Sequence, residues 1–385
     1  MADPTPSPAP RGRAAIFLRI VASFWNGHSR LTAWVLSLAL LCLVLVSVRL
    51  QALINTWNAR FFDAVEKKAQ AEISPLLWQF ALYVIVAGLI MALTVVVRLY
   101  LMVHLRKWVT TAITTHWLDS GAYLRLDRNA AGAETPEFRI ADDVRVALDQ
   151  MVDLAVGFFT SVLLALTFFE VLARVGGSFR LDGYGVTIPA YFLIGALLYA
   201  LLMSGLASSL GWPLIKRIAA KNHREGVFRY QLTRLRENTP DVAKSHAESI
   251  EHRRITGALA DLVQSWSSVI SAQAKVACIA SGNSVLVGIV PIVLAVPKYV
   301  SGDMTLGAVM QLATAFIQVQ MALNWMVDNF VRFAEWRASA NRVGEFVASL
   351  DALDAEGQAG QSIGATVIDA AGAAPDAAAT PAATI

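Results

Sequence analysis

Apolar residues along the chain fall in six runs, each long enough to cross a bilayer as a helix. A hydrocarbon core about 30 Å thick needs roughly 20 apolar residues of helix. None of the runs alternates with the period of two that a barrel strand shows, and backbone groups in lipid must be hydrogen-bonded within their own segment. The pattern therefore predicts six transmembrane helices: Leu31–Ile54, Leu76–Val97, Met151–Val175, Thr187–Ile215, Val269–Val296 and Leu306–Val327.

The polar connections between these runs predict their orientation. Lys and Arg are concentrated before the first run and after the second, fourth and sixth runs, whereas the alternate connections are short and hold few of them. The positive-inside rule then places both termini in the cytoplasm. The two long connections contain few glycines or prolines, so the membrane helices are expected to continue well into the cytoplasm.

Each long connection carries one break in its helical pattern. Residues 129–136 end in Thr135 and Pro136, and the second break contains Asn238, Thr239 and Pro240. Thr or Asn can cap a new helix, and proline is favoured in a first helical turn. We expect a long helix, a short break and another long helix, twice.

The two ends of the chain differ from its middle. Ala14 to Trp25 is amphipathic and could lie at the membrane interface as an elbow helix within residues 1–30. Residues 31–350 form the predicted six-span domain. Residues 351–385 are rich in Ala, Gly, Asp and Pro, a composition that is typical of a disordered linker.

Composition supports a membrane protein and excludes several functions. The chain is 56% hydrophobic and 16% charged, whereas soluble domains are about 25% charged. A net charge of +3 gives no nucleic-acid footprint. No phosphate-binding G-x-x-x-x-G-K-[ST] loop, nucleophile triad or metal-ligand spacing occurs in the sequence. We therefore expect no enzyme activity, no cofactor and no metal.

Four segments resemble a known group of transporters: residues 55–64, 135–143, 228–238 and 318–337. They are similar to signatures of the SbmA/BacA-like and YddA-like group, whose fold is the exporter-type ABC transmembrane domain. The resemblance implies an all-α fold with six transmembrane helices and long cytoplasmic extensions. It also implies a bacterial inner-membrane location and a second copy of the chain as partner, the pair enclosing one cavity.

The resemblance further implies transport of peptides, cobalamin or similar bulky hydrophilic solutes by alternating access. The drive would be ATP, through an ATPase domain that is separate or missing, or a proton gradient as in the SbmA/BacA branch. A membrane scaffold without transport is a further alternative. The two breaks match the coupling turns of ABC membrane domains by position, which assigns that role to Asp127, Thr135, Pro136, Glu237, Asn238 and Pro240.

Three ionisable residues in or beside the apolar runs are candidates for a substrate or proton pathway. Glu170, in the third run, could carry a proton or contact a cationic solute; alternatively it pairs with Arg174 on the same helical face. Asp153 could line the inner mouth or belong to a solvated helix end. Arg98 could oppose a carboxylate in the cavity or extend toward the headgroups.

Polar side chains in the sixth run are a second set of candidates. Gln311, Gln318 and, more loosely, Asn324 approach one helical face, and Asp328 follows at the end of the run. Amides in a membrane helix usually face other helices or a watery path. A path for a polar solute and a network of interhelical hydrogen bonds both explain them.

Overall fold

The computed structural model of the protein describes residues 12–119, 123, 136–181 and 186–372. Two candidate coupling residues, Asp127 and Thr135, and the last part of the predicted linker from residue 373 lie outside these ranges. The helices are α1 (Arg13–Asn26), α2 (Arg30–Glu66), α3 (Gln70–Asp119), α4 (Val144–Gly176), α5 (Tyr191–Glu237), α6 (Thr239–Ser245), α7 (Glu248–Val300), α8 (Leu306–Asp328) and α9 (Phe330–Gly372).

The prediction of six transmembrane helices is confirmed. Among the described residues, six helical segments of 37 to 53 residues are long and apolar enough to cross a bilayer. Since about 20 residues suffice for the crossing, each helix extends well beyond its apolar run. The third segment includes a short helix, Pro136–Phe138, and a π-helix, Arg139–Asp143, which lead directly into α4.

The fourth predicted run, which starts at Thr187, begins four residues before α5, which starts at Tyr191. Thr187 and Ile188 belong to strand β2 (Val186–Ile188), which pairs antiparallel with β1 (Phe179–Leu181), Phe179 lying opposite Ile188. The β-branched residues of β2 favour an extended backbone. The described chain is therefore helical apart from this small hairpin and its turns, in agreement with the predicted all-α class.

The last helix also differs from the prediction. α9 continues past Leu350, the predicted end of the transmembrane domain, to Gly372. Alanine has the highest helix propensity of all residues, and this segment is rich in it. The composition that suggested a linker from Asp351 onward is thus compatible with a helix over its first part.

The described residues separate into two compact units. The first unit comprises the described parts of 1–47, 88–159 and 328–385, and the second comprises those of 48–87 and 160–327. In the first unit the amphipathic α1 buries Phe17, Val21 and Phe24, which lie four and three residues apart on one face. That face, which the sequence assigned to the membrane interface, belongs to a core shared with residues of α3, α4 and α9.

Close contacts fix α1 in this first unit. The Arg13 guanidinium lies 2.6 Å from a Glu345 carboxylate oxygen. The indole nitrogen of Trp108 donates to Ser23 Oγ at 3.0 Å. The backbone of Gly344, on α9, approaches the Arg13 carbonyl so closely that a side chain would collide with it.

The core of the second unit is built on α8. Leu312, Phe316 and Val319 are fully buried on this helix and pack with Phe168, Phe192 and other residues from α4, α5 and α7. The long helices α5 and α7 pair along the unit, joined by a hydrogen bond of 2.6 Å from Tyr199 to Asn283. This packing fixes the position of α8 in the second unit and therefore the positions of its polar residues.

Candidate functional site

A charged cluster in the first unit brings together two of the candidate residues. Asp153, near the start of α4, accepts a hydrogen bond from Arg98 Nη1 of α3 at 2.9 Å and one from Arg332 Nη2 of α9 at 2.7 Å. Arg332 also donates through Nε to Gln150 at 2.9 Å. The sequence singled out Arg98 and Asp153 but not Arg332, because residues separated by 179 positions share no local pattern.

The cluster is partly buried and carries a surplus of positive charge. The Asp153 side chain is 21% exposed, and those of Arg98 and Arg332 are 32% and 43% exposed. One carboxylate thus serves two guanidinium groups. The contact places Arg98 beside a carboxylate; that this carboxylate lines a cavity stays a prediction.

A second charged cluster in the same unit surrounds Asp143, the last residue of the π-helix. Its carboxylate is 2% exposed and accepts hydrogen bonds from Arg139 Nη1 at 2.7 Å and Arg342 Nε at 3.0 Å. Arg342 also donates to Ser339 Oγ at 2.9 Å. Burial acts to raise the pKa of Asp143, but the hydrogen bonds and charges of Arg342 and Arg139 outweigh burial and lower this pKa below its ordinary value.

Two of the candidates on α8, Gln318 and Gln311, make neutral contacts in the second unit. Gln318 Nε2 donates to Gln51 Oε1 at 3.0 Å. The backbone carbonyl of Gln311 accepts a hydrogen bond of 2.9 Å from Asn55 Nδ2, which also donates to Thr314 Oγ1 at 2.7 Å. Asn324 is half-buried and Asp328 is exposed. The contacts at Gln318 and at the Gln311 backbone are interhelical hydrogen bonds, and a role of these residues in a solute path stays a prediction.

Glu170 forms the ion pair that the sequence offered as its alternative role. Its carboxylate lies 2.7 Å from Arg174 Nη2, one helical turn away, and the two side chains are 58% and 79% exposed. Within the described residues, neither side chain is enclosed by the protein core. The geometry favours pairing within α4 and leaves a role in proton transfer as a prediction.

Two carboxylates that the sequence did not single out hold the start of α8. Asp63 Oδ1 accepts the backbone N–H of Gly307 at 2.8 Å, and Glu66 Oε2 accepts that of Leu306 at 3.0 Å. These N–H groups belong to the first turn of α8, where negative charge is favourable. Tyr299 also donates to Glu66 at 3.0 Å, and this hydrogen bond raises the pKa of Tyr299. Asp63, which belongs to the segment 55–64, thus makes a structural contact with α8.

The second break has the predicted proline but not the predicted cap. Pro240 lies in the first turn of α6, yet Asn238 Nδ2 donates backward to the Arg234 carbonyl at 2.8 Å. Thr239 Oγ1 likewise donates to the Leu235 carbonyl at 3.0 Å. The polar side chains thus satisfy the end of α5, which finishes at Glu237, and not the start of α6. At the first break, Pro136 begins a short helix as expected.

Comparisons with known proteins agree with this architecture. The chain matches the family described as ABC transporter transmembrane region 2 over residues 22–300. It is 27% identical to an uncharacterized ABC transporter ATP-binding protein of Synechocystis over 88% of this chain and 49% of that protein. It is 25% identical to the inner membrane ABC transporter ATP-binding protein YddA of Escherichia coli, over 86% of this chain and 60% of YddA.

A plant protein shares the same region more distantly. The chain is 20% identical to ABC transporter D family member 2, chloroplastic, of Arabidopsis thaliana, over 87% of this chain and 46% of that protein. The chain spans about half the length of the curated relatives it matches. With six apolar helices and a match across most of its length, the chain belongs to the ABC transporter transmembrane region 2 family and is an exporter-type, multi-pass ABC transmembrane domain similar to that of YddA.

Proposed function

We propose that the chain is the permease part of a bacterial inner-membrane transporter that moves a bulky hydrophilic solute, such as a peptide or a cobalamin, by alternating access. The observation that carries this proposal is the family match over residues 22–300, which covers five of the six predicted membrane runs. YddA is itself named as an inner membrane protein, which supports that location for this chain.

The charged cluster of Arg98, Asp153 and Arg332 supports a path for a polar solute. Asp153 lies within the third apolar run, and Arg98 directly follows the second. Charged groups at such positions are costly in lipid and usually face a watery cavity or another protein surface. A cluster that is 21% to 43% exposed satisfies this requirement if a water-filled path adjoins it.

Two copies of the chain would form the complete pathway. Six spans are half of the number that encloses a cavity in the resembling transporters, and a second copy could supply the rest. Many large apolar side chains on the membrane helices are exposed, including Trp34, Trp78 and Trp212. Lipid and a second copy are the partners that would cover such surfaces. The distribution of Lys and Arg supports cytoplasmic termini.

ATP is the energy source that the coupling regions favour. α6 is a short helix with mostly exposed side chains that stands between the long helices α5 and α7. A short surface helix in this position could dock on an ATPase domain and transmit its closure as a rigid-body movement. Two of the curated relatives, the Synechocystis protein and YddA, are named as ATP-binding proteins. A proton-driven importer is the alternative, for which Glu170 is the candidate carrier.

Membrane vesicles from the native host, with and without this chain, test the proposal. We expect movement of a labelled peptide or of cobalamin that requires both the chain and Mg-ATP. Movement driven by an imposed pH gradient without ATP would replace the ATP-driven form with the proton-driven one. If neither energy source moves any such solute, transport of this class is refuted.

Charge reversal at α6 tests the coupling role separately. Asp241→Arg changes an exposed acidic residue in the first turn of α6, and Glu72→Arg makes the same change in the first turn of α3, in an alternate connection. Both changes cost a similar amount of helix-dipole stabilisation. We expect only Asp241→Arg to abolish ATP-dependent movement. Equal activity of both variants would contradict docking at α6.

A further inference from the structure

The charged cluster of the first unit has an unequal number of positive and negative groups. Arg98 and Arg332 both donate to the single carboxylate of Asp153, one to each oxygen. The ion pair of Arg224 with Asp261, in the second unit, joins one cation with one anion at 2.8 Å. The cluster therefore retains one positive charge that its own acidic residue does not balance.

The two arginines use their donors to different extents. Arg332 donates through Nε to Gln150, through Nη1 to Asn329 at 3.4 Å and through Nη2 to Asp153. Arg98 donates through Nη1 to Asp153, while its Nε is buried and has no hydrogen-bond partner among the described residues. A guanidinium group can make five such bonds. Arg98 is therefore the less satisfied of the two cations.

Asp149, a neighbouring carboxylate on α4, forms no ion pair with Arg98 or Arg332 among the described residues. Asp149 lies one turn before Asp153 on α4; burial raises the pKa of Asp149, and the charges of Arg145 and Arg106 only partly oppose this rise. Arg145 also pairs with Asp142 at 3.1 Å. Within the described part of the chain, the ion pairs of Arg98 and Arg332 are both with Asp153.

We propose that the cluster of Arg98, Asp153 and Arg332 binds a carboxylate group of the transported solute, so that the transporter prefers anionic over cationic solutes. This inference rests on the proposed function, whose solute it narrows to molecules that carry a carboxylate. Guanidinium groups bind carboxylates through short, charge-assisted and often paired hydrogen bonds. Asp153 holds both guanidinium groups in place in the absence of solute and competes with the incoming carboxylate for them.

This arrangement predicts effects of opposite sign for the two kinds of substitution. Arg98→Gln leaves Arg332 and Asp153 as a neutral pair and removes the less satisfied cation, so carboxylate binding should weaken about tenfold or more. Asp153→Asn removes the competing anion and leaves two cations, so binding should strengthen several-fold. A cluster that only stabilised the fold would lose binding in both variants. Arg224→Gln, which breaks the one-to-one pair with Asp261, is the matched control.

The experiment measures binding to the purified full chain in phosphatidylcholine nanodiscs by saturation-transfer difference NMR. The probe is N-acetyl-trialanine, which has one carboxylate and no cation, and its C-terminal amide is the uncharged control. We expect the acid to bind and the amide to bind at least tenfold more weakly. The affinity for the acid should be highest in Asp153→Asn, equal in the wild type and Arg224→Gln, and lowest in Arg98→Gln. Near-ultraviolet circular dichroism of each variant verifies its fold.

Three outcomes would overturn the proposal. The first is equal binding of acid and amide, and the second is weaker acid binding in Asp153→Asn than in the wild type. The third is loss of acid binding in nanodiscs that contain phosphatidylglycerol, compared with nanodiscs of the same surface charge that lack it. The last result would assign the cluster to a lipid headgroup. Since these measurements need no ATP and no movement across the membrane, binding without transport would refute the proposed function alone. Transport without carboxylate preference would refute this inference alone.

Discussion

The two units join their helices partly by different chemistry, although the second unit also has the Arg224–Asp261 pair between α5 and α7 and the carboxylates of Asp63 and Glu66 at the start of α8. In the first unit, charged side chains join α3, α4 and α9 through Arg98, Asp153 and Arg332, and join the π-helix to α9 through Asp143 and Arg342. In the second unit, neutral groups join α2 to α8 through Asn55 with Thr314 and Gln51 with Gln318. Ion pairs that lose water strongly oppose separation of their partners, whereas amide contacts between membrane helices are individually weak.

The difference suggests distinct roles for the two kinds of contact. A neutral hydrogen bond of well under 2 kcal/mol can exchange partners easily. A buried carboxylate between two arginines cannot give up its partners without leaving a charge unpaired. We therefore infer that Asp143 keeps its helices together as a rigid group, while the amides on α8 allow small adjustments of that helix.

The largest expected effect comes from removing the Asp143 charge. Asp143→Asn keeps the shape of the side chain but removes the buried negative charge to which both Arg139 and Arg342 donate. We expect the free energy of unfolding to fall by about 3 kcal/mol, seen as a lower melting temperature by tryptophan fluorescence in detergent. Asp142→Asn is the control, because the side chains of Asp142 and its partner Arg145 are each 45% exposed, whereas that of Asp143 is 2% exposed. Similar melting of both variants would remove the contrast between the units.

The same residue predicts how stability depends on pH. Because the pKa of Asp143 is lower in the folded protein than in the unfolded chain, its ionised form stabilises the fold. This stabilisation is fully present above the ordinary pKa of Asp, about 4, and is lost as the pH falls through the lower folded-state pKa. The melting temperature of the wild type should therefore fall more steeply on acidification below about pH 4 than that of Asp143→Asn. Parallel curves would contradict this.

Each unit contains one glycine at which an added side chain would collide with a backbone carbonyl, so substitution of either glycine should lower stability to a similar extent. A Cβ at Gly344 would collide with the Arg13 carbonyl, and one at Gly307 would collide with the Ala59 carbonyl. We expect Gly344→Ala and Gly307→Ala each to lower the free energy of unfolding by about 1–3 kcal/mol. Thermal melts with Gly88→Ala and Gly288→Ala as controls check this, since a Cβ at either position meets nothing within 4 Å. Unchanged melting in the first pair would show that the helices can separate there without cost.

The sequence predicted the helices more completely than the contacts between them. Runs of about 20 apolar residues predict a crossing by length alone, and all six predicted runs lie in helices of the structure apart from the first residues of the fourth. The partner of Asp143 is Arg342, 199 residues away, and no periodic pattern relates positions in different helices. Glu66 and Asp63 at the start of α8 were missed for the same reason.

Local rules also failed where two helix ends compete for one side chain. Asn238 and Thr239 were expected to cap α6, but their side chains bind carbonyls at the end of α5. Capping preferences describe one helix end at a time. When a break is only one residue long, the free carbonyls of the preceding helix are equally close, and the preference alone does not select between them.

A moderate effect is expected from the neutral contacts of the second unit. Asn55→Leu removes the hydrogen bonds to the Gln311 carbonyl and Thr314 Oγ1 at a buried position. We expect a loss of about 1 kcal/mol in the free energy of unfolding, clearly less than for Asp143→Asn, measured under the same conditions. Thr56→Val is the control, because that exposed hydroxyl donates to the Ala52 carbonyl of its own helix and to no other helix among the described residues. A loss equal to that of Asp143→Asn would reverse the comparison.

The smallest expected effect on stability comes from Glu170, which forms an exposed ion pair in the second unit. Glu170→Gln breaks the pair with Arg174, but exposed pairs contribute little to stability, so the melting temperature should change by about 1 °C or less. If pairing is its role, ATP-dependent solute movement in vesicles should also persist, with Arg174→Gln behaving alike. If Glu170 carries a proton, Glu170→Gln alone should abolish movement driven by a pH gradient while the fold stays intact. That result would show that Glu170 carries a proton, although it is exposed and paired with Arg174.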